Sequence, residues 1–368
     1  MTKLKNRTRI CRMLWQYPNI SRMDLSTRLD LDKSTVTVEV NHMVEQGIIK
    51  ELPEGQPGRK GGRKPIPLSI NKDYGIIIGI AIQNGHYTAL AVNLAGEILE
   101  AREEDLSITK ENLALSVQLI YWEFRDALKK FPGILLGVGI GVGGLINQKD
   151  GTIMYSVPLQ IYEPLNFVDT ISKKLDIPFI VENNANCCAW GELTFHKNTE
   201  LKNILFVLVE FKQALVQHDI YGGVGVGFGI VLNGKVHYGS NSSAGEFRSV
   251  MCVEKNGSQV SLSNDELGSI LRDDSVFQRF ASELAKNIAM LVNTLDCSHL
   301  FIGGDIEDSS YDFCHILERE IDNNWMYPYK KPLEIHYSSL GAKAVAYGAA
   351  GMFIHRLFST NQFPVSIE

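Results

Sequence analysis

The stretch VENNANCCAWGE at 181–192 sets one carboxylate, Glu182, beside three carboxamides, Asn183, Asn184 and Asn186. It lies where an apolar strand pattern gives way to a helical one. A loop that moves protons needs a group that is basic near neutral pH, and a carboxamide is not. It donates and accepts hydrogen bonds instead, which is what holding a hydroxylated molecule requires. Three glycine-rich segments, 141–144, 222–229 and 303–304, also follow apolar strand patterns and could offer backbone amides to an anion. None reads GxxxxGK[ST], and GGVGVGFG is not followed by a helical pattern as a dinucleotide fold requires. Taken singly, each reads first as a tight turn. Cys187 and Cys188 are adjacent, while Cys11, Cys252, Cys297 and Cys314 are scattered without C-x-x-C spacing. The six read as buried free thiols of a reducing compartment, with no metal site.

The elements that would position these groups run from Tyr74 onward. YGIIIGIAIQNGHYTALAVNLAGEIL predicts two strands joined at Asn84-Gly85 and a third after Ala95-Gly96. A helix over about 110–130 follows, with Leu113, Val117, Ile120, Phe124 and Leu128 at helical spacing. LLGVGIGVGGLIN, IPFIVENNANCCAWGEL, NILFVLV, YGGVGVGFGIVLNGKV and SHLFIGGDI continue as strands with turns or helix starts, and a last helix covers roughly 342–357. Antiparallel strands followed by strand–helix alternation occur in both halves. That order predicts an α/β body of two similar lobes with a cleft between them.

In the 368-residue chain, 45% of residues are hydrophobic and 21% charged, the profile of an ordinary chain with a real core. No run reaches the roughly 18 apolar residues of a membrane span, and the N-terminus lacks the apolar stretch of a signal peptide, so a cytoplasmic location is expected. The net charge of −6 hides an asymmetry: residues 1–72 sum to +7 and the remainder to −13. A basic head on an acidic body points to nucleic acid as a partner of the head.

Within that head, Ile10, Met13 and Leu14 share one helical face. Ser21 and Asp24 fit a capping box before a short helix, and Leu31 marks a turn. Asp32 caps a second helix over about 33–46, which Gly47 stops. Two helices joined by a tight turn make a helix-turn-helix. Ser34, Thr35, Thr37, Val38 and Asn41 on the second helix carry hydroxyl, amide and small apolar groups suited to reading base edges and thymine methyls. The strand-like segments IIKEL and IPLSI flank GQPGRKGGRKP, a wing whose tip carries Arg59, Lys60, Arg63 and Lys64 for a minor groove.

Together these segments resemble the ROK family (repressors, open reading frames and kinases). GVGIGVGGLIN, VPLQIYEPLNF, IPFIVENNANCCAWGE, GVGVGFGIVLNGKVHYGSNSSAGEF and LFIGGDI fall in family order, behind a head similar to that of the family's regulators. The resemblance implies an α/β chain with an N-terminal winged helix-turn-helix and a two-lobed, actin-like (sugar-kinase, ribonuclease-H-like) body. The expected divisions are 1–72 for the head, 73–190 with 340–368 for the first lobe, and 191–339 for the second. Family kinases use the aspartate of E-N-D-A-N as general base, and here that position holds Asn184. Their first phosphate loop resembles D-x-G-x-T, whereas this chain reads Ala81-Ile82-Gln83-Asn84-Gly85-His86. Their structural zinc site needs a histidine where this chain has Ser249, with only Cys252 nearby, so tetrahedral Zn²⁺ lacks ligands. About twelve residues, 210–221, intervene before the second glycine-rich loop. On the sugar side the resemblance carries over Gly143, Gly144, Asn183 and Glu246 as ligand contacts, with Asn184 beside them.

The expected function is therefore a DNA-binding transcriptional regulator, a repressor of carbohydrate metabolism. It is controlled by a sugar or sugar derivative in a catalytically dead cleft, with no cofactor. It is expected to act as a homodimer or dimer of dimers on double-stranded operator DNA, away from membranes. Two rivals remain: an ATP-dependent sugar kinase with a fused DNA-binding head, and a ligand-blind DNA-binding scaffold.

Overall fold

The N-terminal helix Thr2–Gln16 presents Ile10, Leu14 and Trp15 inward, against the helices Arg22–Leu29 and Lys33–Glu45. The structure, a computed structural model, describes residues 2–53, 65–83, 85–196, 201–211, 223–253, 258–308 and 311–359. Ser21 caps the second helix as the sequence predicts: its hydroxyl accepts from the Asp24 amide while the Asp24 carboxylate accepts from the Ser21 amide. Asp32 occupies the cap position of the third helix, but its side chain makes no capping bond. Gly47 follows that helix at φ +72°, a left-handed backbone in which a side chain would be strained. Strands Ile49–Glu51 and Pro67–Ile70 then pair antiparallel, and Ile20–Ser21 joins the far edge of the second.

The body contains two five-stranded sheets of identical order. In the first, Gly75–Gln83 pairs antiparallel with His86–Asn93, which pairs with Ile98–Asp105; on its other side it runs parallel to Ile134–Val142, and that strand to Phe179–Asn183. In the second, Ile204–Phe211, Val224–Leu232 and Lys235–Val236 form the antiparallel run, and His299–Gly304 and Glu334–Tyr337 add in parallel. The repeat read from the sequence is thus a repeat of topology. The helix predicted over about 110–130 is α-helical over Leu113–Ala127 and tightens to a 3-10 turn at Leu128–Lys130, with all five named apolar residues buried.

Between the sheets, helix Asn184–Phe195 lies on the second sheet and helix Ala344–Ser359 on the first, and the two cross each other. Their backbones touch: a Cβ at Gly348 would fall 1.8 Å from the Cys187 carbonyl oxygen. The segment 222–229, read from sequence as a glycine loop, is a strand from Val224 onward. Its glycines let the helix sit on the sheet, since a Cβ at Gly229 would meet the Ala185 carbonyl at 2.5 Å. Close helix–strand approach, not anion binding, accounts for Gly227 and Gly229.

Head and body share one apolar core. Trp15 stacks on Phe358 with ring centroids 5.2 Å apart, and Arg12 Nε donates to the Phe358 carbonyl at 2.8 Å.

Candidate functional site

The strands Ile134–Val142 and Phe179–Asn183 end side by side in register, Val142 opposite Asn183, and so bring the turn at 143–144 against the start of helix Asn184–Phe195. Gly144 has φ +132°, and a Cβ there would sit 2.3 Å from the Tyr155 carbonyl, so the turn closes only with glycine. Across from it, the antiparallel bridge Gly227–Glu246 carries the loop 242–246 to the same opening. The result is a cleft of about 290 Å³ whose wall includes Gly143, Gly144, Asn183, Asn184 and Glu246. All five residues expected at a ligand site therefore meet in one cavity.

Their chemistry differs from residue to residue. Asn183 is the N-cap of its helix: its carbonyl accepts from the amides of Ala185 (2.9 Å) and Asn186 (3.2 Å), and its Nδ2 donates to the Gly144 carbonyl at 2.8 Å. Much of its hydrogen-bonding capacity is thus spent on building the wall, leaving one N–H. Asn184 Nδ2 donates to Glu210 Oε2 at 3.3 Å, and its Oδ1 accepts from the Ala185 amide. Asn186 also lines the cleft and is buried; its Nδ2 donates to Glu182 Oε1 at 3.2 Å, while its Oδ1 has no partner among the described residues. A buried acceptor without a donor costs about 1–3 kcal/mol until something supplies one.

Burial raises the Glu182 carboxyl, although the Asn183 amide, Asn186 and Tyr238 hydrogen-bond to it and oppose the rise. Tyr238 in turn accepts from Trp190 Nε1 at 3.0 Å. Solvent reaches Glu246 across the cleft mouth, yet the protein around it desolvates its carboxyl and raises it as well.

Among the wall residues that sequence reasoning did not expect are Glu210, Gln259 and Tyr155. Glu210 closes one end, where Gln83 Nε2 donates to its Oε1 at 2.6 Å. Its signal was a lone carboxylate ending the apolar run ILFVLVE, submerged in the apparent insertion. Gln259 ties the loop strand down through Val226 and the Phe247 carbonyl. Tyr155 backs the glycine turn. Nothing in the sequence singled out these last two.

On the head, Ser34, Thr37, Val38 and Asn41 are exposed and Thr35 half-buried, with Val38 62% accessible despite its apolar side chain. Thr37 returns its hydroxyl to the Lys33 carbonyl, and Asn41 Oδ1 accepts from Arg22 at 2.9 Å. Arg59, Lys60, Arg63 and Lys64 lie outside the described residues. Ser249, read from the sequence as replacing a zinc histidine, is buried and its Oγ accepts from Asn287 Nδ2 at 3.1 Å. All six cysteines are free thiols.

A family profile described as ROK family matches residues 77–258. The chain belongs to the ROK family. A putative xylose repressor from a Caldicellulosiruptor species is 27% identical over 298 residues, which is 80% of this chain and 67% of that protein. A crystal structure of a ROK family transcriptional regulator, a homolog of the E. coli MLC protein, superposes with a TM-score of 0.73 at 19% identity, covering 97% of each chain. A ROK family glucokinase from Streptomyces griseus, solved with glucose and AMPPNP, superposes with a TM-score of 0.57 at 20% identity. It is covered over 99% of its length by only 76% of this chain. The ROK body is thus common to regulator and kinase, and the cleft chemistry has to separate them.

Proposed function

We propose that this chain is a DNA-binding transcriptional regulator, a repressor of carbohydrate metabolism, whose cleft binds a sugar or sugar derivative without phosphorylating it. The observation that carries this reading is Asn184. The cleft is intact and lined by hydrogen-bonding groups, yet the position expected to hold the proton acceptor is an amide bonded to Glu210. General-base assistance is worth about 10²–10⁴-fold in rate, and that contribution is gone. Binding needs only donors and acceptors, which the carboxamides and carboxylates of the cleft wall supply.

The head supports the DNA side. Its second and third helices, with the strand pair after them, are arranged as a winged helix-turn-helix, and the third helix leaves Ser34, Thr37, Val38 and Asn41 facing outward. Exposing Val38 costs hydration free energy that contact with a thymine methyl would recover. Residues 1–72 constitute the DNA-binding unit in this reading, and a cytoplasmic homodimer places two heads on half-sites one turn of DNA apart, about 34 Å. A sugar alters DNA affinity only to the extent that it prefers one arrangement of the lobes.

Fluorescence anisotropy of labelled DNA from upstream of its own gene tests the reading. Salt-dependent binding should weaken by roughly 1–3 kcal/mol at sites read by Asn41 when Asn41→Ala is introduced. Absence of binding to every such fragment, or sugar-dependent ADP release from ATP that is lost in Asn184→Ala, refutes it.

A further inference from the structure

Glu210 stands at the end of strand Ile204–Phe211 and closes one end of the cleft. Each of its oxygens takes a hydrogen bond from a different part of the body. Gln83, at the end of a first-sheet strand, holds Oε1 at 2.6 Å, and Asn184, at the start of the crossing helix, holds Oε2 at 3.3 Å. The carboxylate is therefore fixed in place by two neutral amides, and neither neutralises its charge. On its other side lies a second cavity of about 240 Å³, where Glu103, Asp305 and Glu307 add further carboxylates. That cavity also contains His86, which is paired with Asp105 at 3.3 Å. In the sugar cleft itself the second carboxylate is Glu246, and among the described wall residues there is no lysine, arginine or histidine.

Among the described residues, a phosphoryl or carboxylate group entering this cleft would meet two carboxylates and no cation. Proteins that hold such groups supply guanidinium forks, ammonium groups or several backbone amides to offset the charge. A polyhydroxylated neutral molecule meets no such penalty and can donate its hydroxyls to Glu210 and Glu246. Charge–charge repulsion acts over several ångströms in a partly desolvated cleft, so it discriminates even without direct contact.

We propose that Glu210 is the specificity-determining residue of the cleft: braced between Gln83 and Asn184, it bars phosphorylated and carboxylated sugars and admits neutral ones. This rests on the sugar-binding reading above. It narrows that reading from sugars and their derivatives to uncharged polyols, and assigns the narrowing to one side chain.

The test uses the full chain and measures binding by calorimetry for D-glucose, D-xylose and N-acetylglucosamine, and for the 6-phosphates of glucose and N-acetylglucosamine. The wild type should bind at least one of the two sugars that have a matched phosphate at least tenfold more tightly than its 6-phosphate. Glu210→Gln, nearly identical in shape but uncharged, should reduce that ratio at least tenfold, and a melting curve checks that it folds. Gln83→Leu removes the brace but keeps the charge; it should weaken neutral-sugar binding and leave the ratio standing. A phosphate ester that binds the wild type as tightly as its parent sugar overturns the proposal, as does a ratio unmoved in Glu210→Gln. Those results would leave the sugar-binding reading intact. Binding of a 6-phosphate with no neutral sugar bound would overturn this proposal alone, and failure of every sugar and phosphate in the panel would overturn both.

Discussion

His355 lies where the head meets the body, and the pH dependence of stability should report it. Its ring centroid is 4.5 Å from that of Trp190 on the crossing helix and 5.9 Å from that of Trp15 on the first helix. Burial, reinforced by the Arg12 guanidinium, lowers its pKa from 6.5 to about 4. The folded protein therefore keeps this imidazole neutral where the unfolded chain takes up a proton. Between pH 6.5 and 4 the unfolded state binds more protons, so the contribution to stability is full above 6.5, falls as the pH drops, and is gone near 4. The slope approaches ~1.4 kcal/mol per pH unit, which gives a loss of about 2 kcal/mol by pH 5 and about 3 kcal/mol at the limit. Urea unfolding followed by tryptophan fluorescence at pH 8, 6 and 5 measures it, with His355→Phe as the reference that cannot titrate. Other groups cancel in the difference between the two proteins, which should change by about 2 kcal/mol from pH 8 to 5. Differences that stay constant within about 0.5 kcal/mol would show that His355 titrates normally in the fold, and the argument from its burial would fail.

Gly348→Ala should destabilise by at least about 2 kcal/mol in denaturant titrations, because the added carbon meets backbone at the helix crossing and backbone cannot step aside. Arg7→Leu strands the buried Glu39, now paired at 2.6 Å, and should cost about 3–5 kcal/mol; adding Glu39→Leu should recover much of that, as a double-mutant cycle would read. Asn183→Ala removes a helix cap and the bond to the Gly144 carbonyl, so stability should fall by about 1 kcal/mol and sugar binding measured by calorimetry should weaken with it.

The body was legible in the sequence because its strands are nearly continuous apolar runs, such as GIIIGIAI, ended by glycine or asparagine turns. The head was legible through its caps, since Ser21 and Asp24 need only local geometry to act. Two features were not. GGVGVGFG looks like a loop by composition, and only the helix lying on it explains why a strand would be made of glycines. Glu210 gains its meaning from Gln83, 127 positions away in the chain, and no local pattern encodes such a pair. Asn183 falls between these cases: its place in the cleft could be read from its neighbours, but its capping bonds appear only once the strand end and helix start are placed.

The contact between helices Asn184–Phe195 and Ala344–Ser359 also limits how the body can rearrange. At Gly348 and Cys187 main chain rests on main chain, with no long side chains between them to bend. Sliding one helix along the other would drive backbone into backbone, whereas turning them about the contact point leaves it nearly undisturbed. The two sheets are mounted on these helices like the blades of a pair of scissors on their rivet. Any opening or closing of the cleft is then close to a single angle, and the Glu210 bond to Gln83 spans the blades near the cutting edge. Work done by a bound molecule has one mechanical outlet, and torque about that rivet is its natural measure.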